Sequence, residues 1–208
     1  MRETIIASAI EVFNQKGLKN STLRDIAKEM SISDGHLRYY FRTKEDLILS
    51  VFAEMDAAIV SIADEVTRYD SVAQEIIESL SRSFMVMYRY GFFFNEPLAD
   101  LQAFPKLYIA YLELIERRKE LFMDVFRKYK EVGIFSPDVD AELFPVLFEQ
   151  FFIISDNWVR YTKLPNRRKL DDTKQVRYFV AVSVALFLPY LSVQVREELL
   201  KWVKATCR

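Results

Sequence analysis

The chain has 208 residues, 51% of them apolar, and a formal net charge of −1, so it can bury a sizeable core and is not a polycation; any nucleic-acid surface has to be local. With 4 Gly and 6 Pro it is too poor in turn residues for a turn-rich β fold, which points to an all-α protein. Cys207 is the lone cysteine and His36 the lone histidine, which rules out an internal disulfide and structural zinc, and suits a reducing cytosol.

The opening stretch MRETIIASAIEVFNQKG carries Glu3 and Glu11 and no continuous apolar run, so it does not read as a signal peptide. Ile5, Ile6, Ala9, Ile10, Val12 and Phe13 fall at helical spacing, and Gly17 closes that helix. Thr22 can cap a second helix whose third residue is Asp25, with Leu23, Ile26, Ala27 and Met30 on its inner face. The run SIS breaks the pattern. Ser33 then caps a third helix, Asp34 to Phe41, with Leu37 and Phe41 facing inward. Thr43 and Asp46 repeat the cap, and a long helix starts at Lys44 and runs to about Tyr69. Further helices are predicted near 71–90, 105–132, 139–162, 172–190 and 193–206, with short pieces between Gly91 and Pro105 and a polar loop through KLPNRRKLDD. The longest apolar run, Phe179 to Leu191, is too short to span a bilayer, so a soluble cytoplasmic protein without a membrane role is expected.

Two short helices joined by a tight turn form a helix-turn-helix, whose second helix can enter the major groove. The exposed side of that second helix should carry His36, Arg38, Tyr39 and Tyr40, followed by Arg42 and Lys44. From Gly35 to Lys44 there are three Lys/Arg and no acid, whereas residues 1–47 as a whole hold eight Lys/Arg and seven Asp/Glu, so positive charge is concentrated there. Phosphate contacts need such cations and hydroxyl donors, and Gly35 would let the backbone come close to DNA. A helical hairpin with a solvated basic face shows the same pattern and stays open as an alternative.

The order Thr22, Ile26-Ala27, Ile32-Ser33-x-Gly35-x-Leu37, Tyr40-Phe41, Lys44-Glu45-x-Leu47, preceded by VFNQKG, resembles the N-terminal domain of the tetracycline-repressor (TetR) family over residues 3–50. That resemblance implies a homodimeric repressor of double-stranded DNA with a pseudo-palindromic operator. It implies a three-helix DNA-binding domain over 1–47 and a larger helical domain for effector binding and dimerisation over 48–208. Carried over by position, Thr22 is a helix cap and DNA-backbone contact. Ser33, Gly35, His36, Tyr39 and Tyr40 become groove or phosphate contacts, and Lys44 the phosphate anchor. The chain departs from the pattern at three places. Ser31 stands where the family usually has Gly, so a left-handed turn there would cost a little. Arg38 replaces the usual Tyr and adds a possible guanine contact. Tyr40 stands where His is frequent.

Aromatics crowd residues 84–126. Phe84, Met87, Tyr88, Phe93, Tyr108 and Tyr111 are candidates to line an apolar pocket with hydroxyl handles. Glu149, Phe152 and Asp156, on an otherwise apolar helix, can add polar and aromatic contacts. The same residues can equally fill a core, and the two acids can face a dimer interface or solvent. The helices over 139–162 and 172–190 are apolar around much of their circumference, as in a helix that is buried or paired. The resemblance makes them the dimerisation pair; a central place within one subunit is the alternative. No Walker loop, GxGxxG or GxSxG is present, and neither a metal nor a cofactor is implied. The resulting expectation is a DNA-binding transcriptional regulator, a repressor released by a small apolar or aromatic ligand, and not an enzyme. The alternative is a helical adaptor whose N-terminal hairpin meets another protein.

Overall fold

The computed structural model describes residues 1–64, 70–164 and 171–207. These contain eleven α-helices: α1 (Arg2–Asn20), α2 (Leu23–Glu29), α3 (Asp34–Tyr40), α4 (Lys44–Asp64), α5 (Val72–Arg89), α6 (Gly91–Asn95), α7 (Leu98–Gln102), α8 (Pro105–Glu131), α9 (Phe144–Thr162), α10 (Asp172–Phe187) and α11 (Val193–Thr206). The expected continuation of α4 to Tyr69 and the basic run Asn166–Lys169 lie outside the described residues. Among the described residues, no helix is long and apolar enough to cross a membrane. The chain divides into two compact units: Met1–Ser61 with Val86–Leu114, and Ile62–Met85 with Ile115–Arg208.

In the first unit, Ile5, Ile6, Ala9, Ile10 and Phe13 of α1 are buried with Leu23, Ile26, Ala27, Leu37, Phe41, Leu47 and Ile48. Leu23, Ile26, Ala27, Leu37 and Phe41 are thus buried as predicted for the hairpin, whereas Met30, expected on the inner face of α2, is only half-buried because it forms the C-cap beyond the helix. Thr22 closes a full capping box: its Oγ1 accepts from the Asp25 N–H at 3.1 Å, and Asp25 Oδ2 accepts from the Thr22 N–H at 2.8 Å. Ser31 turns the chain between α2 and α3 at φ 56°, the left-handed site anticipated from its position, so a Cβ is carried there at a cost of about 1–2 kcal/mol.

Gly17 does more than end α1. The backbone leaves helical values there (φ 78°, ψ 163°) and resumes for one short turn to Asn20. The freed Leu18 N–H donates to Oε1 of Glu96, a buried carboxylate in the connection after α6. From the other side, Lys44 Nζ donates to the Leu18 carbonyl and, at 3.4 Å, to that of Lys19, while lying 5.3 Å over the Phe104 ring. Asn14 adds two bonds, accepting from the Phe92 N–H at 2.8 Å and donating to the Arg89 carbonyl at 2.9 Å. These contacts explain why the unit carrying the hairpin also takes in residues 86–114.

The second unit is built on rings. Phe122 and Phe126 of α8 meet Phe144, Phe148 and Phe151 of α9, and Trp158 stacks 5.5 Å from Phe84. Ser136 donates to the Tyr190 carbonyl at 2.8 Å and Ser192 to that of Ile134 at 2.9 Å, tying the turn after α8 to the start of α11. Tyr129 is raised to about 12, first by burial and then by the charge of Glu75, so it stays a neutral phenol.

The break at Gly17 generates a direct test. A Cβ at residue 17 would sit 2.9 Å from Glu96 Oε1 on a backbone that side chains rarely adopt. Gly17→Ala should lower stability by about 1–3 kcal/mol, read as a lower urea midpoint; an unchanged midpoint would show that the break bears no strain.

Candidate nucleic-acid interface

At 100° per residue, a seven-residue helix shows its neighbours nearly all of its faces in two turns. In α3 only Leu37 is buried, and Phe41, which follows the helix, is buried beside it. The side opposite Leu37 carries Gly35 and Tyr39, flanked by His36 on one edge and Arg38 on the other. Tyr39 is 83% exposed, an unusual state for a tyrosine in a folded protein. Tyr40 is half-buried and supports both neighbours: its ring lies 5.2 Å edge-on from Tyr39 and 5.7 Å from His36. A Cβ added at Gly35 would meet nothing within 4 Å, so the backbone there lies open.

The caps fix where α3 begins. Ser33 Oγ accepts from the His36 N–H at 3.1 Å. Thr43 and Asp46 form the second predicted cap: Thr43 Oγ1 accepts from the Asp46 N–H at 3.1 Å, and Asp46 Oδ2 accepts from the Thr43 N–H at 3.0 Å. Thr22, Ser33 and Thr43 are all exposed hydroxyls at helix starts, and Arg24, Lys28 and Arg42 are exposed cations on the same hairpin. The Thr22 hydroxyl donates to Asp25 Oδ2 at 2.6 Å, while the Ser33 and Thr43 hydroxyls accept from backbone N–H groups, which leaves their own O–H groups, with the cations of this small head, as donors that phosphate and base edges accept from.

Both predicted cations, Lys44 and Arg38, have partners within the protein. Lys44 is partly buried and bonded to the α1 carbonyls; burial lowers its pKa, and the charges of Glu96 and Asp25 oppose that shift. Arg38 Nε donates to Asp34 Oδ2 at 2.7 Å, and its Nη1 to the Arg42 carbonyl at 3.3 Å. Asp34 was not among the residues singled out from sequence, although its spacing of four from Arg38 is the signal for such a pair. Glu96 was also missed, and nothing local in the sequence links it to Leu18.

The nine candidate ligand residues fall in both units. Met87, Tyr88, Phe93, Tyr108 and Tyr111 belong to the first, where Phe93 is buried 5.2 Å from Phe52 and 5.4 Å from Tyr111. Phe84, Glu149, Phe152 and Asp156 belong to the second. There Phe84 is buried, Phe152 and Asp156 are half-buried, and Glu149 is exposed.

Comparison with known proteins gives a consistent picture. The family model described as "Bacterial regulatory proteins, tetR family" matches residues 5–51, and the one described as "Bacterial transcriptional repressor" matches residues 52–199. A crystal structure of a TetR-family transcriptional regulator from Marinobacter aquaeolei is similar over 99% of this chain and 98% of that one, with a TM-score of 0.85 and 25% identity. The transcriptional repressor KstR2 of Mycobacterium tuberculosis is 23% identical over 76% of this chain and 81% of its own length. Its solved structure, described as a ketosteroid transcriptional regulator, superposes with a TM-score of 0.63 over 92% of this chain and 95% of that one, at 19% identity. The fatty acid metabolism regulator protein of Bacillus subtilis is 32% identical over 71 residues, 34% of this chain; the match spans 37% of that protein's length.

The capping box also makes the head sensitive to acid. Its bonds to Lys16 and Thr22 hold Asp25 well down, from 3.8 to about 2. Because folding lowers this pKa, the stabilisation is complete above the ordinary value and is lost as pH falls through about 2. Urea midpoints of the wild type and Asp25→Asn should differ at about pH 6 and converge towards about pH 2. A difference that stays constant over that interval would contradict the assignment.

Proposed function

The chain belongs to the TetR family of bacterial transcriptional regulators, and we propose that it is a homodimeric repressor whose two α3 helices enter successive major grooves of a pseudo-palindromic operator. The observation that carries this reading is the one-sidedness of α3: Leu37 alone is buried, and Gly35, His36, Arg38 and Tyr39 are left to solvent. Ser33 and Tyr40 add hydroxyls at the two ends of the helix. Thr22 touches the DNA backbone at the start of α2. Lys44 contributes to the phosphate field while its ammonium holds α1. DNA binding places the protein in the bacterial cytoplasm.

The dimer forms on α9 and α10. Val146, Ile153 and Tyr161 lie along one stripe of α9 at 51%, 61% and 42% exposure, with Gln150 and Asn157 between them. An apolar stripe of this kind needs a cover, and a second copy supplies one with matching chemistry. Ile153→Glu should leave the helix content intact, give a monomer in sedimentation, and lose operator binding. A variant that remains dimeric would move the interface elsewhere.

The effector is a small apolar or aromatic molecule held within one unit, by Met87, Tyr88, Phe93, Tyr108 and Tyr111 in the first or by Phe84, Glu149, Phe152 and Asp156 in the second. A lipid-derived compound is the class best supported, since two similar proteins are named for fatty acid metabolism and for ketosteroids. Its occupancy shifts the dimer towards a state in which the two heads no longer match the groove repeat of about 34–36 Å.

Enrichment of bound genomic fragments gives the operator and tests the reading, because a protein adaptor would enrich nothing. On that operator, binding should weaken steeply with added salt. Gly35→Ala should fold like the wild type, since the added methyl meets no protein atom within 4 Å, yet should lose about tenfold or more in operator affinity. Equal affinity of the two proteins would remove α3 from the groove.

A further inference from the structure

Arg38 is tethered within its own helix. Its Nε–H bonds Asp34 Oδ2 at 2.7 Å, and Nη1 reaches the Arg42 carbonyl at 3.3 Å. Both side chains stay accessible, 53% exposed for Arg38 and 36% for Asp34. The second carboxylate oxygen of Asp34, Oδ1, is shut off from solvent and has no donor among the described residues, so Arg38 is the side-chain partner of this carboxylate there. We propose that Asp34 is a positioning residue that holds the Arg38 guanidinium in register to read a guanine in each operator half-site. This inference rests on the DNA-binding reading above and adds to it a base and the residue that selects the base.

The geometry favours a base over a phosphate. With Nε committed to Asp34, the end of the fork remains: Nη2 has no acceptor among the described residues, and Nη1 keeps one of its two hydrogens. Two parallel N–H groups are what guanine O6 and N7 accept. A free arginine loses rotamer freedom on being fixed; a side chain already tethered by Asp34 has lost part of that freedom before DNA arrives. Charge argues the same way. Beside Asp34 the positive charge of the guanidinium is partly offset, which weakens it as a phosphate clamp and leaves the directional bonds intact. A carboxylate this near the DNA also repels the backbone, so it lowers affinity for every sequence while sharpening one position. The same pair acting only as helix support would add little stability and would carry no base preference.

The test is selection from a random duplex pool with the full-length wild type, Arg38→Ala, Arg38→Lys and Asp34→Asn, each also titrated against unselected DNA. The wild type should enrich guanine at one position of each half-site. Arg38→Ala should lose that preference and leave other positions intact. Arg38→Lys, a cation without a fork, should keep its affinity for unselected DNA and lose the guanine. Asp34→Asn should bind unselected DNA at least as tightly as the wild type, having shed a negative charge, while its preference for that guanine falls by about tenfold. If Asp34→Asn keeps the full preference, or Arg38→Ala weakens all sequences equally, the proposal is overturned and the DNA reading stands. Failure of the wild type to enrich any duplex overturns both.

Discussion

A helix of seven residues has no stability of its own in water, so α3 exists because Leu37 and the adjoining Phe41 are withdrawn into the core formed by α1, α2 and α4. That single anchorage determines the rest. It leaves the remaining faces bare, it makes Tyr39 protrude, and it sets the direction in which Gly35 offers its backbone. Ser33 and the left-handed Ser31 then decide where the helix starts and how the chain enters it. Arg2 completes the arrangement by lying 5.2 Å over the Phe41 ring, so the inner anchor is covered by a cation that also bonds Ser50.

The second constraint lies at the far end of α1. A helix C-terminus attracts cations because its last carbonyls lack partners, and Lys44 meets that need from the first turn of α4. Burying an ammonium is costly, and the nearby charge of Glu96 offsets part of the cost. Glu96 in turn satisfies the Leu18 N–H that Gly17 releases. Lys19 with Asp100, and Glu45 with the Lys106 N–H, extend the same stitching. The head therefore shares its compact unit with Met87, Tyr88, Phe93, Tyr108 and Tyr111. Phe93 touches Phe52 of α4 directly, so a ligand that displaced Phe93 would act on the helix that bears the head's base.

Local chemistry was legible from sequence wherever a short-range rule applies. Thr22 with Asp25 and Thr43 with Asp46 marked two helix starts, the spacing of Leu37 and Phe41 gave the inner side of α3, and the position of Ser31 marked a strained turn. Contacts between residues far apart in the chain were not legible. Glu96 is separated from Leu18 by 78 positions, and no pattern of charge or periodicity pairs them. Lys44 looked like a free cation because its basic character is local, while its environment is made by Leu18 and Phe104. The aromatic run from Phe84 to Phe126 was evident as a cluster, but its division between two units depends on where the helices cross from one core to the other, which composition does not encode.

The proposed dimer presents α3 outward twice, once from each subunit. Hydroxyl-radical footprinting of the full chain on an enriched operator measures this most directly. Such a dimer should give two protected patches on one face of the duplex, centred about one helical turn apart and related by a two-fold axis. A single patch, or protection spread evenly around the duplex, would contradict it.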